Sequence, residues 1–170
     1  MGTKQTTAGF TIIELIVVIA IIVILGTIAI INLQGGQAAG RDIERQQDVQ
    51  SIASRFEAYY DERNFNLPYF PTPSYPHTTQ ISTATKGLSP EAYRAPGTAE
   101  GTNSIIIATN TNSTPGGVLP QPTIHQYVYQ PFNAAGELCT AGNGPCLRFN
   151  IFWRTEASNQ VEKLTSRNQQ

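Results

Sequence analysis

The 170-residue chain predicts an α+β protein: a long N-terminal α-helix packed on a small antiparallel β-sheet. Three observations predict this. Residues 10–63 contain no proline and hold helical spacing throughout. Residues 64–103 then carry six prolines, at 68, 71, 73, 76, 90 and 96, which forbid long regular elements. The last third consists of short runs rich in β-formers, separated by loop chemistry.

Residues 1–9 form a short polar leader. From Phe10 to Leu33 the only ionisable side chain is Glu14. At 1.5 Å per residue this stretch is about 36 Å of helix, enough to cross a bilayer core of roughly 30 Å. Residues 10–33 therefore read as a transmembrane helix. A carboxylate inside such a helix costs about 2.5–3.5 kcal/mol at mid-membrane, so Glu14 demands a functional reason.

Residues 34–63 continue the helix in amphipathic form. Val49, Ile52, Ala53, Phe56, Tyr59 and Tyr60 recur at three- and four-residue spacing and draw one apolar stripe for a domain core. Asp42, Glu44, Arg45, Asp48, Arg55, Glu57 and Glu62 are expected mostly on the other faces. Gly26 and the pair Gly35-Gly36 are the weak points of the helix.

Residues 64–170 form the C-terminal globular domain, opening with the proline-rich loop. Ser89 followed by Pro90 predicts a short helix over Glu91, Ala92 and Tyr93. Ile105 to Ile107 predicts a first strand, closed by the breaker at 110–117. Ile124 to Gln130 predicts a second, with Pro131 ending it. Leu147, Phe149, Ile151 and Trp153 alternate with Cys146, Arg148, Asn150 and Arg154 in a third, apart from Phe152 on the second face. Val161 to Leu164 predicts a fourth. One sheet face is expected on the helix, with Arg148, Arg154 and Lys163 on a solvated opposite face.

Composition excludes several classes. Net charge is −1 and no basic block exists to track a phosphate backbone, so nucleic acid is not an expected partner. No Asp follows Asp61, and Glu137, Glu156 and Glu162 are scattered, so no calcium site is expected. His77 and His125 are isolated, leaving no nucleophile–base pair; neither catalysis nor a cofactor is expected. Cys139 and Cys146 flank the loop-forming TAGNGP. That spacing favours a disulfide stapling the 132–145 hairpin, given an oxidising compartment, over free thiols or a metal half-site. Asn112-Ser113-Thr114 fits an N-glycosylation acceptor pattern that also arises readily by chance.

The N-terminus is not an ordinary secretory signal, because its small residues precede the apolar core instead of following it. Cleavage at Gly9 would leave the apolar segment on the mature protein. A polar leader ending in glycine, then Phe-Thr-Ile-Ile-Glu-Leu and a long apolar helix, resembles type IV pilins and type II secretion pseudopilins. The resemblance is residue by residue from Gly9 to about Leu33, and extends in plan to the helix and small sheet of the pilin fold. It implies that a prepilin peptidase cuts between Gly9 and Phe10 and methylates the new Phe10 amine. It implies further that Glu14 meets the amine of a neighbouring subunit's Phe10 during assembly. The protein would be a single-pass inner-membrane precursor with its C-terminal domain outside the cytoplasm. It would later become an extracellular homopolymer built through the N-terminal helices by the pilus assembly machinery.

The chain departs from the family in two places. Its leader has one lysine, Lys4, where relatives are often more basic, and Ile30, Ile31 and Asn32 stand where pilins often have a helix-breaking proline. Major pilin, minor pilin and secretion pseudopilin are not separated by these residues. The competing reading is a single-span anchored extracellular domain that binds a ligand or acts as an enzyme.

Overall fold

The structure is a computed structural model that describes residues 10–65 and 73–169, without the side chains at 28–34, 63–65 and 169. The leader, Gly9, Pro68, Tyr69, Phe70 and Pro71 lie outside the described residues. The chain divides into two compact units, residues 1–38 and 39–170.

Helix α1 is assigned over Ile12–Phe65. Within the first unit its described side chains are apolar and exposed all round, from Ile12 to Leu25, apart from Glu14. Among the described residues, no helix is long and apolar enough to cross a membrane. The apolar helix with described side chains, residues 12–27, amounts to about 24 Å, short of the roughly 30 Å of a bilayer core. The transmembrane reading of residues 10–33 thus rests on the sequence beyond Thr27.

The second unit contains the predicted amphipathic stripe and a four-stranded sheet. Val49, Ile52, Ala53 and Phe56 of α1 are buried against Tyr127, Tyr129, Phe149, Ile151 and Trp153. Phe56 meets the rings of Tyr129 and Phe149 edge-on, with centroids 4.8 and 5.9 Å away. The strands are β1 (Ile105–Ile107), β2 (Tyr127–Phe132), β3 (Arg148–Arg154) and β4 (Val161–Thr165), in that order across the sheet. Short helices α2 (Ile81–Ala84), α3 (Pro90–Tyr93) and α4 (Arg167–Gln169) complete the unit; α3 and α4 are of 3₁₀ type. The sequence reading anticipated α3 but neither α2 nor α4.

Three expectations are corrected. The sheet is mixed: β2–β3 and β3–β4 are antiparallel, but β1 runs parallel to β2. A parallel pair needs a crossover of a dozen or more residues, and residues 108–126 supply it. Second, Pro131 does not end its strand but sits inside β2, opposite Phe149. β1 stops alongside Tyr129, so the missing N–H of Pro131 breaks no bond to that neighbour, while its carbonyl accepts the Cys139 N–H at 2.9 Å.

Third, the outer sheet face is not simply solvated. The 108–123 segment crosses it, burying Ala108 and Val118 against Val128 and Phe152. Gln130 is buried there and donates to the carbonyls of Asn110 and Asn112 at 2.8 and 3.1 Å. Its own carbonyl accepts from Asn150 Nδ2 at 3.0 Å. Arg154 donates to the Pro122 carbonyl at 2.8 Å and Lys163 to that of Ser113 at 3.3 Å. Gln130, Arg154 and Lys163 on this face bind the crossover backbone, whereas Arg148, among the described residues, does not.

Candidate functional site

The N-terminal site begins with how the helix starts. Thr11 precedes the first helical residue, Ile12, and Glu14 stands three residues on. The backbone N–H and the hydroxyl of Thr11 both donate to Glu14 Oε2, each at 2.9 Å. In return the Glu14 N–H donates to the Thr11 hydroxyl at 3.3 Å. This reciprocal arrangement is a capping box, in which the side chains satisfy backbone donors that the first turn leaves over. The sequence reading missed it, although Thr-x-x-Glu before an apolar run is its signature.

The cap holds the Glu14 carboxylate against the backbone of the residue that follows Phe10. Phe10 itself is exposed, and so are Ile12, Ile13, Leu15 and Ile16 around the acid. A single negative charge therefore sits at the mouth of an uncovered apolar rod. Monomeric soluble proteins rarely expose an apolar surface of this extent without a partner for it.

At the other end of the chain, Cys139 and Cys146 are joined in a disulfide with Cα atoms 5.5 Å apart. The bridge closes the β2–β3 connection. Asn143 organises the small loop within it, donating to the Leu138 carbonyl at 2.8 Å and accepting from the Thr140 N–H at 2.7 Å. Both cysteines are fully buried.

A second polar constellation, also missed in sequence, lies where α1 enters the C-terminal unit. Arg45 is 1 % exposed. It donates to Asp42 at 2.7 Å, to Glu156 at 3.0 Å and to the Ile124 carbonyl at 2.9 Å. Arg41 adds a second guanidinium on Glu156, with Nε at 2.9 Å. Bonding to Arg41 and then Arg45 holds the Glu156 carboxyl down at about 2. Asp42 also accepts the backbone N–H groups of Glu156 and Ala157, at 2.7 and 2.9 Å. The network pins the β3–β4 turn to the helix and joins no reactive groups. Among the described residues, no cluster of three or more His, Cys, Asp or Glu could hold a metal ion.

What decides the nature of the N-terminal site is the match of its sequence. Residues 4–30 carry the prokaryotic N-terminal methylation motif. This motif is the class III signal of type IV pilins and pseudopilins, and its span includes Gly9, Phe10, Thr11 and Glu14. The motif is one carried by type IV pilin-like and pseudopilin precursors, a structural and generally non-enzymatic kind of protein. It also implies processing by a prepilin peptidase and handling by pilus assembly components. No curated protein and no solved structure matches the chain.

Proposed function

We propose that this protein is a structural subunit of a type IV pilus or pilus-like filament. Residues 10–33 hold the precursor in the inner membrane, and cleavage between Gly9 and Phe10 releases the leader. The freed Phe10 amine is methylated, and the subunits polymerise through their N-terminal helices into an extracellular filament. The observation that carries this reading is Glu14: one acid, capped at the start of an exposed apolar helix, inside a methylation motif.

The cap refines the assembly step. In the single chain, Glu14 already accepts two hydrogen bonds from Thr11. On assembly its carboxylate takes the positive amine of a neighbour's Phe10, a contact far stronger in a dry filament core than at a surface. Leaving either charge alone in that core costs about 3–5 kcal/mol, which fixes stagger in an otherwise featureless bundle. The disulfide suits a C-terminal unit that matures outside the reducing cytoplasm.

Two measurements test the proposal. Mass spectrometry of protein recovered from its native source should show a mature chain starting at N-methyl-Phe10. Glu14→Gln keeps an acceptor for the Thr11 cap but loses the charge, so it should leave insertion and cleavage intact and remove filaments from sheared surface fractions. An uncut Met1 start, or normal fibres from Glu14→Gln, would overturn the reading.

A further inference from the structure

Within the C-terminal unit a guanidinium and a carboxylate that have no partner among the described residues stand at opposite ends of the sheet. Arg148 opens β3 and is half-buried in a cleft with Tyr60, Leu147 and Asn168. Glu162, on β4, pairs in register with Trp153 near the far end of β3 and lines a hollow with Ile43 and Thr155. Among the described residues, neither charged group has a hydrogen bond or an ion pair. Arg148 and Trp153 lie five residues apart on one strand, about 17 Å. Tyr60 and Ile43, which flank the two ends on α1, are about 26 Å apart along it.

Each end also carries apolar surface. Ile43 is 58 % exposed, and among the described residues of this unit only Leu119 joins it as an exposed large apolar side chain. The Arg148 cleft offers Tyr60 and Leu147 as walls. Lys163 also lines the Ile43 hollow, but its ammonium is engaged by the Ser113 carbonyl at 3.3 Å.

We propose that the two ends form one contact between successive copies of this chain. Arg148 of one copy takes the Glu162 carboxylate of the next, while Ile43 of that next copy enters the cleft beside Tyr60 and Leu147. The guanidinium fork can grip a carboxylate through two parallel hydrogen bonds, which gives the contact orientation as well as charge. The two surfaces differ, so the contact is head-to-tail: each added copy presents a fresh end, and the array stays open wherever the rotation between copies does not close a ring. Apolar side chains beside the pair keep water from it, and charge complementarity sets register and excludes wrong pairings. This contact rests on the filament reading but is separate from the Glu14 pairing.

Charge exchange tests it on the full chain produced in cells, with sheared filaments quantified. Arg148→Glu and Glu162→Arg alone should each lower filament yield more than about tenfold, and together restore it. Arg148→Glu with Glu100→Arg restores net charge but should not restore filaments. The milder Arg148→Gln should also lower yield, and resistance of the C-terminal unit to proteolysis checks that each variant folds. Undiminished yield in folded single variants, or no rescue by the exchange, overturns the contact while leaving the filament reading intact. Absence of filaments from the wild-type chain overturns both.

Discussion

Tyr127 donates its hydroxyl hydrogen to Asp48 at 2.7 Å across the interface between α1 and β2. Both residues are buried, and among the described residues no cation forms an ion pair with that carboxylate. Burial raises the Asp48 carboxyl to about 6, partly opposed by the Tyr127 hydrogen bond, with Glu44 raising it and Arg45 and Arg94 lowering it.

The sign of the resulting pH dependence follows. The folded chain holds the Asp48 proton more tightly than the unfolded chain, whose carboxyl titrates near its ordinary value. The stabilisation is therefore full at low pH and is lost as pH rises through about 6. Asp48→Asn should remove this slope and stabilise the C-terminal unit at pH 7 by on the order of 1–2 kcal/mol, allowing for partial solvent screening. Thermal unfolding of wild type and variant between pH 4 and 7, followed by the emission of the lone tryptophan, Trp153, is the check. Parallel curves would contradict it. The Glu156 carboxyl, lowered from 4.5 to about 2, contributes in the opposite sense, its stabilisation being lost progressively as pH falls from the unfolded value through the folded one.

Arg45→Ala should be among the most damaging single changes in the C-terminal unit. It leaves Asp42 without its guanidinium, removes one of two from Glu156 and strips the Ile124 carbonyl of its donor. A loss of about 3–5 kcal/mol is expected by urea denaturation. Arg45→Lys should recover only part of it, because an ammonium cannot span three acceptors in fixed directions.

Replacing Cys139 or Cys146 by serine should cost about 2.5 kcal/mol, the chain-entropy figure for a closed loop this short. Comparing oxidised and reduced wild type by the same denaturation isolates the effect. Coincident curves would remove the bridge from the stability of this unit.

Gln130→Ala should loosen the crossover. The variant loses both donors to the Asn110 and Asn112 carbonyls and the acceptor of Asn150. Destabilisation of about 2 kcal/mol is expected, with faster amide exchange at residues 110–119 than in the β2–β3 ladder.

The elements that periodicity alone can specify were legible in the sequence: the Val49 to Phe56 stripe, the alternation of Phe149, Ile151 and Trp153, and the four strands. Strand direction was not, because the sense of β1 depends on the route of the 108–126 crossover. Arg45 and Asp48 read as surface charges because their partners come from far along the chain, at Glu156 and Tyr127, and spacing cannot pair them. At the candidate site, Gly9, Phe10 and Glu14 stood out as a motif. The Thr11 cap was equally visible, since Thr-x-x-Glu ahead of an apolar run is its signature.

Residues 140–145 are fastened at both ends by covalent chemistry, and their internal order comes mainly from Asn143. Gly144, at a φ of 98°, needs the freedom of glycine, whereas Ala141 and Gly142 are exposed and can be rewritten, or a foreign epitope spliced beside them, while the sheet beneath keeps its alignment.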